Sequence, residues 1–233
     1  MNAMQCVNLG RTEYRACWNM QEALFRQRSG GEIPDILLLT EHDPVYTIGR
    51  TGDDNHLLAG EEELRQMGIT VVHNDRGGDI TYHGPGQLVG YPILDLHEFA
   101  LDLHRYLRGL EEVIIRTLST YDVKGERIGG YTGVWVGGEK ICAIGIKASR
   151  WITMHGFALN VNLDLAPFGR IIPCGIFERG VTSLQAHVGH TIAFDDVAKQ
   201  IVKSFGQVFE RQMNGIHPPG VVKKQRTALA GAE

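Results

Sequence analysis

The sequence lacks the features that mark membrane-spanning and secreted proteins. No apolar run approaches the ~20 residues that a transmembrane helix needs, and the N-terminus shows no signal-like pattern. The four cysteines of the 233-residue chain have no paired short spacing, which disfavours a disulfide framework. We therefore expect a soluble, cytoplasmic protein with free thiols and no membrane partner.

Charge and motif content exclude further classes. The 23 Lys and Arg residues against 27 Asp and Glu give a formal net charge of -4, so no overall field attracts nucleic acid. GxSxG and HExxH motifs are absent, and the ten histidines are scattered singles, so we expect no metal. Two loops come close to nucleotide-binding motifs. Val89 stands where a dinucleotide loop needs glycine, and Glu139 where a phosphate loop needs lysine.

The order of apolar and turn-forming residues predicts one α+β domain over residues 1–213, with a mostly antiparallel sheet flanked by helices. No repeat or Pro/Gly/Ser-rich linker divides it. Residues 214–233 are polar and are predicted to form a loosely ordered tail. Helical spacing predicts one helix within the first twenty to thirty residues, capped by Thr12, and two more over Leu101–Leu118 and about Asp195–Gln212.

A β-hairpin is predicted in the second half of the chain. Its strands, Thr132–Val136 and Lys140–Ile146, flank the glycine pair Gly137–Gly138, and a further strand follows over Trp151–Val161.

The stretch Val71–Leu96 is rich in glycine between two apolar strands. Arg76 and His83 lie within it, and Pro85 fixes its own φ. Glycine tolerates positive φ and lets a backbone approach a ligand closely. Two interpretations stay open from these residues alone: tight turns in a sheet, or a binding loop.

Cys174 is the candidate nucleophile among the cysteines. It lies between Pro173 and Gly175 in a short turn, whereas Cys142 falls within an apolar strand and Cys6 and Cys17 lie in or near the predicted first helix. A thiolate forms readily near neutral pH only beside a cation or a helix N-terminus. Lys140 and His83 could supply that charge, although no pattern in the sequence shows that either contacts Cys174.

Four segments together resemble one protein family. They are RGGDITYHGPGQLVGYPILDL (Arg76–Leu96), GVWVGGEKICAIGIK (Gly133–Lys147), HGFALNVNLDL (His155–Leu165) and PCGI (Pro173–Ile176). In order and spacing they are similar to the octanoyltransferases of lipoate biosynthesis, and the resemblance runs from about the first helix to Phe209. It implies a fold shared with biotin and lipoate protein ligase catalytic domains. It also implies transfer of octanoyl from the thioester of acyl carrier protein to a lysine of a lipoyl domain, without ATP.

The resemblance implies residue roles as well. Cys174 corresponds to the acyl-accepting nucleophile and Lys140 to its partner in a Cys/Lys dyad. Lys147 ranks second, because related sequences often have arginine there. No cofactor is implied. The acyl-binding wall would comprise Arg76, Gly77, Gly78, Asp79, Ile80, Thr81, Tyr82, His83, Ala143, Ile144, Gly145, Gly156, Phe157 and Ala158.

The implied partners are proteins. Octanoyl-acyl carrier protein would be the donor, and the lipoyl domains of 2-oxoacid dehydrogenases and the glycine cleavage H protein the acceptors; we expect a monomer. Because acyl carrier proteins are acidic, Arg50, Arg150 and Arg170 are candidates for an electropositive rim. Two alternatives stay open: an ATP-dependent lipoate or biotin protein ligase on the same fold, and a non-catalytic protein that binds an acyl group or a lipoyl domain.

Overall fold

Two β-sheets and five α-helices make up the described part of the chain, residues 3–172 and 180–220 of a computed structural model. The helices are α1 (Tyr14–Ser29), α2 (Glu61–Met67), α3 (Leu103–Ser119), α4 (Leu184–Val188) and α5 (Phe194–Val208). The strands are β1 (Ala3–Thr12), β2 (Ile36–His42), β3 (Val45–Ile48), β4 (Thr70–His73), β5 (Ile80–His83), β6 (Gln87–Ile93), β7 (Glu126–Ile128), β8 (Tyr131–Val136), β9 (Glu139–Ser149), β10 (Ile152–Asn160) and β11 (Gln212–His217).

The larger sheet has eight described strands in the order β11-β1-β2-β6-β10-β9-β8-β7. Strand β1 runs parallel to β2 and to β11, and the remaining neighbours in this sheet are antiparallel. The smaller sheet has the order β4-β3-β5, with β3 and β4 parallel. The predicted α+β class and mostly antiparallel sheet are therefore confirmed.

Apolar side chains cover both faces of the larger sheet. In β2, Leu37 and Leu39 join the core beneath α3 and α5, while Ile36 and Leu38 join the core beneath α1. This alternation follows from the two-residue period of a strand and explains why the run Ile36–Leu39 is apolar without interruption. Helices α3 and α5 therefore lie on one face, and α1 lies on the other.

The N-terminal prediction is wrong in one respect. Residues 3–12 form strand β1 rather than the start of the helix, so Cys6 is a strand residue. Helix α1 begins at Tyr14, and its cap is Glu13, whose carboxylate accepts the N–H groups of Arg15 and Ala16. Thr12 instead bonds Thr40 through its hydroxyl, at 2.9 Å.

The other element predictions agree with the structure more closely. Helix α3 and the β8–β9 hairpin are confirmed, with Asp102 capping α3. Helix α5 ends at Val208, four residues before the predicted end. Residues beyond 213 are not all loosely ordered, because β11 continues to His217 and pairs with β1.

Candidate active site

A cavity of about 480 Å³ opens where the two sheets meet. Strands β9 and β10 form one wall, with Gly145 opposite Gly156 and Ala143 opposite Ala158. The facing wall is the loop that enters β5. Because the paired strand positions carry a methyl group or no side chain at all, room remains between the walls.

The two walls approach so closely that glycine is required. The Gly77 N–H donates to Ile146 O at 2.8 Å, and a Cβ on Gly145 would stand 2.7 Å from Gly77 O. Gly78 has a φ of +92°, which favours glycine. The glycines of the sequence therefore set the width of the cavity, and the stretch Val71–Leu96 forms part of its lining rather than only turns.

The structure brings most predicted site residues together. Lys140 and thirteen of the fourteen wall residues predicted from the sequence line the cavity. Tyr82 is the exception: its ring packs on Tyr46 and Phe168, at centroid distances of 5.4 and 5.8 Å, within the core of the smaller sheet. Cys174 lies outside the described residues.

Further lining residues went unnoticed in the sequence. Gln87, Val89 and Tyr91 occupy every second position of β6 and face the cavity. Their alternation was the signal that could have identified them. Others, such as Tyr14 and Phe168, reach the cavity through tertiary packing and carry no local signal.

Arg76 fixes the cavity loop to the smaller sheet. Its guanidinium donates to Thr47 O at 2.6 Å and to Thr47 Oγ1 at 2.9 Å. The side chain is buried and lines the cavity. The buried charge is thus hydrogen-bonded, as burial of a charge requires.

His83 is a neutral core imidazole. Its Nδ1–H donates to Gln87 Oε1 at 2.7 Å, and the Thr47 hydroxyl lies 3.3 Å from Nε2. Burial holds the pKa of His83 well below its usual range, with nearby His42 adding to the effect. An imidazole so buried and so committed to its neighbours is a poor proton acceptor.

A chain of buried amides connects this histidine to Lys140. Gln87 Nε2 donates to Asn160 Oδ1 at 3.0 Å, and Asn160 Nδ2 donates to Thr182 O at 2.9 Å. The Thr182 N–H in turn donates to Lys140 O at 3.0 Å. The network joins β6 and β10 to the segment beginning at residue 180.

Lys140 lies at the start of β9, over the ring of Trp135. Its Nζ is 4.8 Å from the ring centroid, a distance at which an ammonium is attracted to the face of an indole. The β8–β9 register shifts between Val134 and Trp135, and this irregularity places Trp135 opposite Lys140. The Lys140 N–H also donates to Gly180 O at 3.0 Å, so backbone contacts hold the lysine from a second side.

The described chain is anchored on both sides of residues 173–179. After this interval, Val181 forms a parallel bridge with Lys140. Before it, Ile171 bridges Leu57, and the Ile172 N–H donates to His56 O at 2.8 Å.

Lys147 belongs to a separate ion-pair cluster. Its ammonium pairs with Asp75, whose other oxygen accepts from His155 Nε2 at 2.7 Å. The His155 hydrogen bond, with Lys147 adding to it, holds the pKa of the Asp75 carboxyl well below its usual range. Lys147 does not line the cavity, whereas Lys140 does.

The described residues contain no cluster of three or more His, Cys, Asp or Glu side chains arranged to hold a metal ion. No helix within them is both long and apolar enough to cross a bilayer.

Comparisons with known proteins give the family. Residues 13–206 match the family described as the lipoyl protein ligase A/B catalytic domain. An octanoyltransferase from Rubrobacter xylanophilus is 57% identical over 201 residues, which cover 85% of this chain and 90% of that protein.

Solved structures share the fold. Lipoate-protein ligase A bound with ATP has a TM-score of 0.70 at 18% identity, covering 92% of this chain and 90% of that chain. A bi-partite lipoate protein ligase from Thermoplasma acidophilum, described with its E2 lipoyl domain, also scores 0.70 at 17% identity, covering 92% and 88%. Together with the 57% identity to an octanoyltransferase along most of both chains, the match over residues 13–206 shows that this chain belongs to the lipoyl protein ligase A/B catalytic-domain family and, within it, to the octanoyltransferases.

Proposed function

We propose that this octanoyltransferase takes octanoyl from octanoyl-acyl carrier protein onto Cys174 as a thioester and passes it to a lysine of a lipoyl domain. The observation that carries the proposal is the cavity between the sheets, lined by Ala143, Gly145 and Gly156 and flanked by Lys140. About six methylenes buried at ~0.8 kcal/mol each give roughly 5 kcal/mol for a medium acyl chain.

The first half of the reaction needs a thiolate. The Lys140 ammonium would stabilise Cys174 as the thiolate and lower its pKa. Two peptide units separate Ile172 from Cys174 in sequence, so their Cα atoms are at most about 7 Å apart. Gly180 lines the cavity and accepts the Lys140 N–H on the other side of residues 173–179, which supports this pairing.

Backbone N–H groups would stabilise the tetrahedral oxyanion. The Gly77 N–H is committed to Ile146 O. We therefore favour the neighbouring Gly78 and the Gly175 N–H as donors.

The second half of the reaction forms an amide from a thioester. Because the amide is the more stable of the two, this step needs no ATP. The acceptors we propose are the lipoyl domains of 2-oxoacid dehydrogenases and the glycine cleavage H protein. Because the T. acidophilum ligase is described with an E2 lipoyl domain, the shared fold is compatible with such a partner.

An electropositive rim for the acidic carrier protein would use Arg50 and Arg150. Both are exposed, whereas Arg170 is paired with Glu63 at 2.5 Å. Substitution of Arg50 and Arg150 by glutamate should lower the rate with octanoyl-carrier protein at low salt and have less effect at high salt. An unchanged rate at low salt would show that Arg50 and Arg150 do not contribute to binding of the carrier protein.

Intact mass measurement tests the central step. The protein is incubated with octanoyl-carrier protein without ATP, and an octanoyl adduct is expected that is missing in Cys174→Ser. If the wild-type protein forms no adduct, the thioester mechanism is wrong. Ligation that depends on ATP would instead support a ligase, and binding without turnover a non-catalytic protein.

The rate of thiol alkylation tests whether Lys140 stabilises the Cys174 thiolate. Burial raises the pKa of Cys6 and of Cys17 to about 12 and raises that of Cys142 further, so these thiols should react slowly at neutral pH. Lys140→Ala should slow alkylation of Cys174. Lys147→Ala is the matched control, since Lys147 is held by Asp75, and it should leave the rate near that of the wild type.

A further inference from the structure

Helix α3 carries a carboxylate on its buried and otherwise apolar face. The side chain of Glu111 is fully buried, and its neighbours on this face, Leu110, Val113 and Ile114, are core residues. Burying a charge is costly unless opposite charges and hydrogen bonds compensate it, and apolar side chains of similar size often stabilise a core equally well. A buried glutamate at this position therefore suggests a role beyond packing.

The two oxygens of Glu111 have different partners. Oε2 pairs with the guanidinium groups of Arg108 and Arg127, each at 2.9 Å, and both arginines are partly exposed. Oε1 accepts the backbone N–H of Gly133 at 3.1 Å, and this hydrogen bond is buried. Because one oxygen is sufficient for the arginines, the other is left to hold the start of strand β8 against α3.

Gly133 lies beside the side chain of Lys140. A Cβ on Gly133 would stand 3.7 Å from Lys140 Cε and 2.6 Å from Cys142 O. The φ of Gly133 is +128°, in the region that favours glycine. The methylene stem of the lysine therefore passes along a bare piece of backbone that is hydrogen-bonded to Glu111.

The strand pairing around Gly133 aligns Lys140 with Trp135. Val134 pairs with Cys142 and Trp135 with Lys140, so β9 has one residue more than β8 in this interval, as in a β-bulge. Residues opposite each other share a face of the sheet, which agrees with the position of Lys140 Nζ, 4.8 Å from the centroid of the Trp135 ring. Both residues line the cavity. A shift of β8 at Gly133 would therefore move the surface on which the lysine packs.

We propose that Glu111 is a positioning residue for Lys140. By holding the N–H of Gly133, it fixes the start of β8, and with it the Trp135 ring and the place of the lysine ammonium at the cavity. Glu111 itself does not line the cavity, so it acts through these residues. The effect of Glu111 on octanoyl transfer rests on the proposed function, whereas its effect on the position of Lys140 does not.

The substitution Glu111→Asp tests this contact because it keeps the charge and shortens the side chain. The loss of one C–C bond withdraws the carboxylate by about 1.5 Å. An aspartate that still pairs with the arginines then no longer reaches Gly133. Glu112→Asp is the matched control, since it makes the same change on the next residue of the helix, whose carboxylate pairs with Arg116 at 2.9 Å and with Arg127 at 2.8 Å.

NMR of the protein with ¹³C-labelled lysine measures the position of Lys140 without catalysis. The ring current of an indole shifts protons above its face upfield, so the wild type should show an upfield ε-CH₂ signal that is lost in Lys140→Arg. This signal should move downfield in Glu111→Asp and stay in place in Glu112→Asp. Lys147, whose Nζ lies 5.9 Å from the Phe25 ring centroid, is an internal reference that neither variant should move.

Steady-state octanoyl transfer gives the functional measurement. Misplacement of a catalytic group by about 1 Å can slow a reaction by about 100-fold, so Glu111→Asp should lower kcat by about 10-fold or more. The KM for octanoyl-carrier protein should change by less than about 2-fold, because the substrate still binds the same cavity. Glu112→Asp should keep both values, and circular dichroism gives the folded fraction to which each kcat is referred.

Arg127→Gln separates the hydrogen bond from the ion pair. It removes one arginine but leaves Glu111 able to reach Gly133, so the Lys140 signal should stay in place. The inference is wrong if the Lys140 signal is unmoved in folded Glu111→Asp. It is also wrong if Arg127→Gln or Glu112→Asp moves that signal as far.

Hydrogen exchange of the wild-type protein needs no variant and decides the matter if Glu111→Asp does not fold. The Gly133 amide should be protected from exchange, and exchange at the rate of a free amide would refute the inference. A wild-type protein that transfers no octanoyl would refute the proposed function, while the NMR result for Lys140 would still decide whether Glu111 positions the lysine.

Discussion

Asn160→Asp is the sharpest test of the buried amide chain that holds Lys140. The substitution preserves shape but replaces the Nδ2 donor that Thr182 O accepts at 2.9 Å. Gln87 Nε2 can still donate to the remaining oxygen. An ionised carboxylate at position 160 would leave the buried Thr182 carbonyl facing another acceptor, at a cost of about 1–3 kcal/mol.

The loss of unfolding free energy in Asn160→Asp should depend on pH, and it should be larger at high pH. A protonated carboxyl at position 160 can donate to Thr182 O, so folding should raise the pKa of this introduced group above the unfolded value of about 3.9. The variant should therefore keep its stability below the pKa of the unfolded chain. It should lose stability as the pH rises through the pKa of the carboxyl in the folded protein. At about 1.4 kcal/mol per pKa unit, a cost of about 1–3 kcal/mol corresponds to a rise of about one to two units.

The assay is urea unfolding at pH 4.5 and 7.5, with the wild type measured alongside. Relative to wild type, Asn160→Asp should lose roughly 2 kcal/mol more of its free energy of unfolding at the higher pH. Asn162→Asp is the matched control: this half-buried amide bonds Ile192 through both its oxygen and its nitrogen, and water can replace those bonds. An equal pH dependence in the two variants would refute the reasoning.

Further substitutions test the walls of the cavity and the charges near it. Gly90→Ala would place a Cβ 2.1 Å from the Phe157 ring and should cost about 1–3 kcal/mol of thermal stability, part of which Phe157→Leu should recover. Asp75→Asn should destabilise the protein most near neutral pH and progressively less below about pH 4, where the unfolded carboxyl is already protonated; chemical unfolding at several pH values checks this. Trp135→Phe keeps an aromatic face under Lys140 and should slow Cys174 alkylation less than Trp135→Leu does.

Prediction from sequence succeeded where a pattern is local. Helix α3 shows a continuous apolar stripe, and the glycine pair at 137–138 marks the β8–β9 hairpin. The glycines at 77, 145 and 156 also gave a readable signal, because close approach of two backbones excludes side chains. The residues predicted from family resemblance at these positions do line one cavity.

Prediction failed where the determining contacts are distant in the chain. Strand β1 was missed because it lies between two neighbours and is buried on both faces, so Met4, Cys6 and Val7 are all apolar and show no two-residue period. His56 and Asp79 are 23 positions apart and meet only through folding of the loops that carry them. Neither the pair nor the link from Asn160 to Thr182 has a local signature.

The pairing of β1 with β11 has a consequence for how the sheet is completed during synthesis. Strand β1 is made about 200 residues before β11, one of its two neighbours, so the edge of β1 that pairs with β11 stays open until β11 has been synthesised. A chain stopped at residue 213, where the sequence suggests that the domain ends, would lose most of β11. Its exposed edge at β1 would then be a template for pairing with another chain, and such a truncation should aggregate where one stopped after His217 does not.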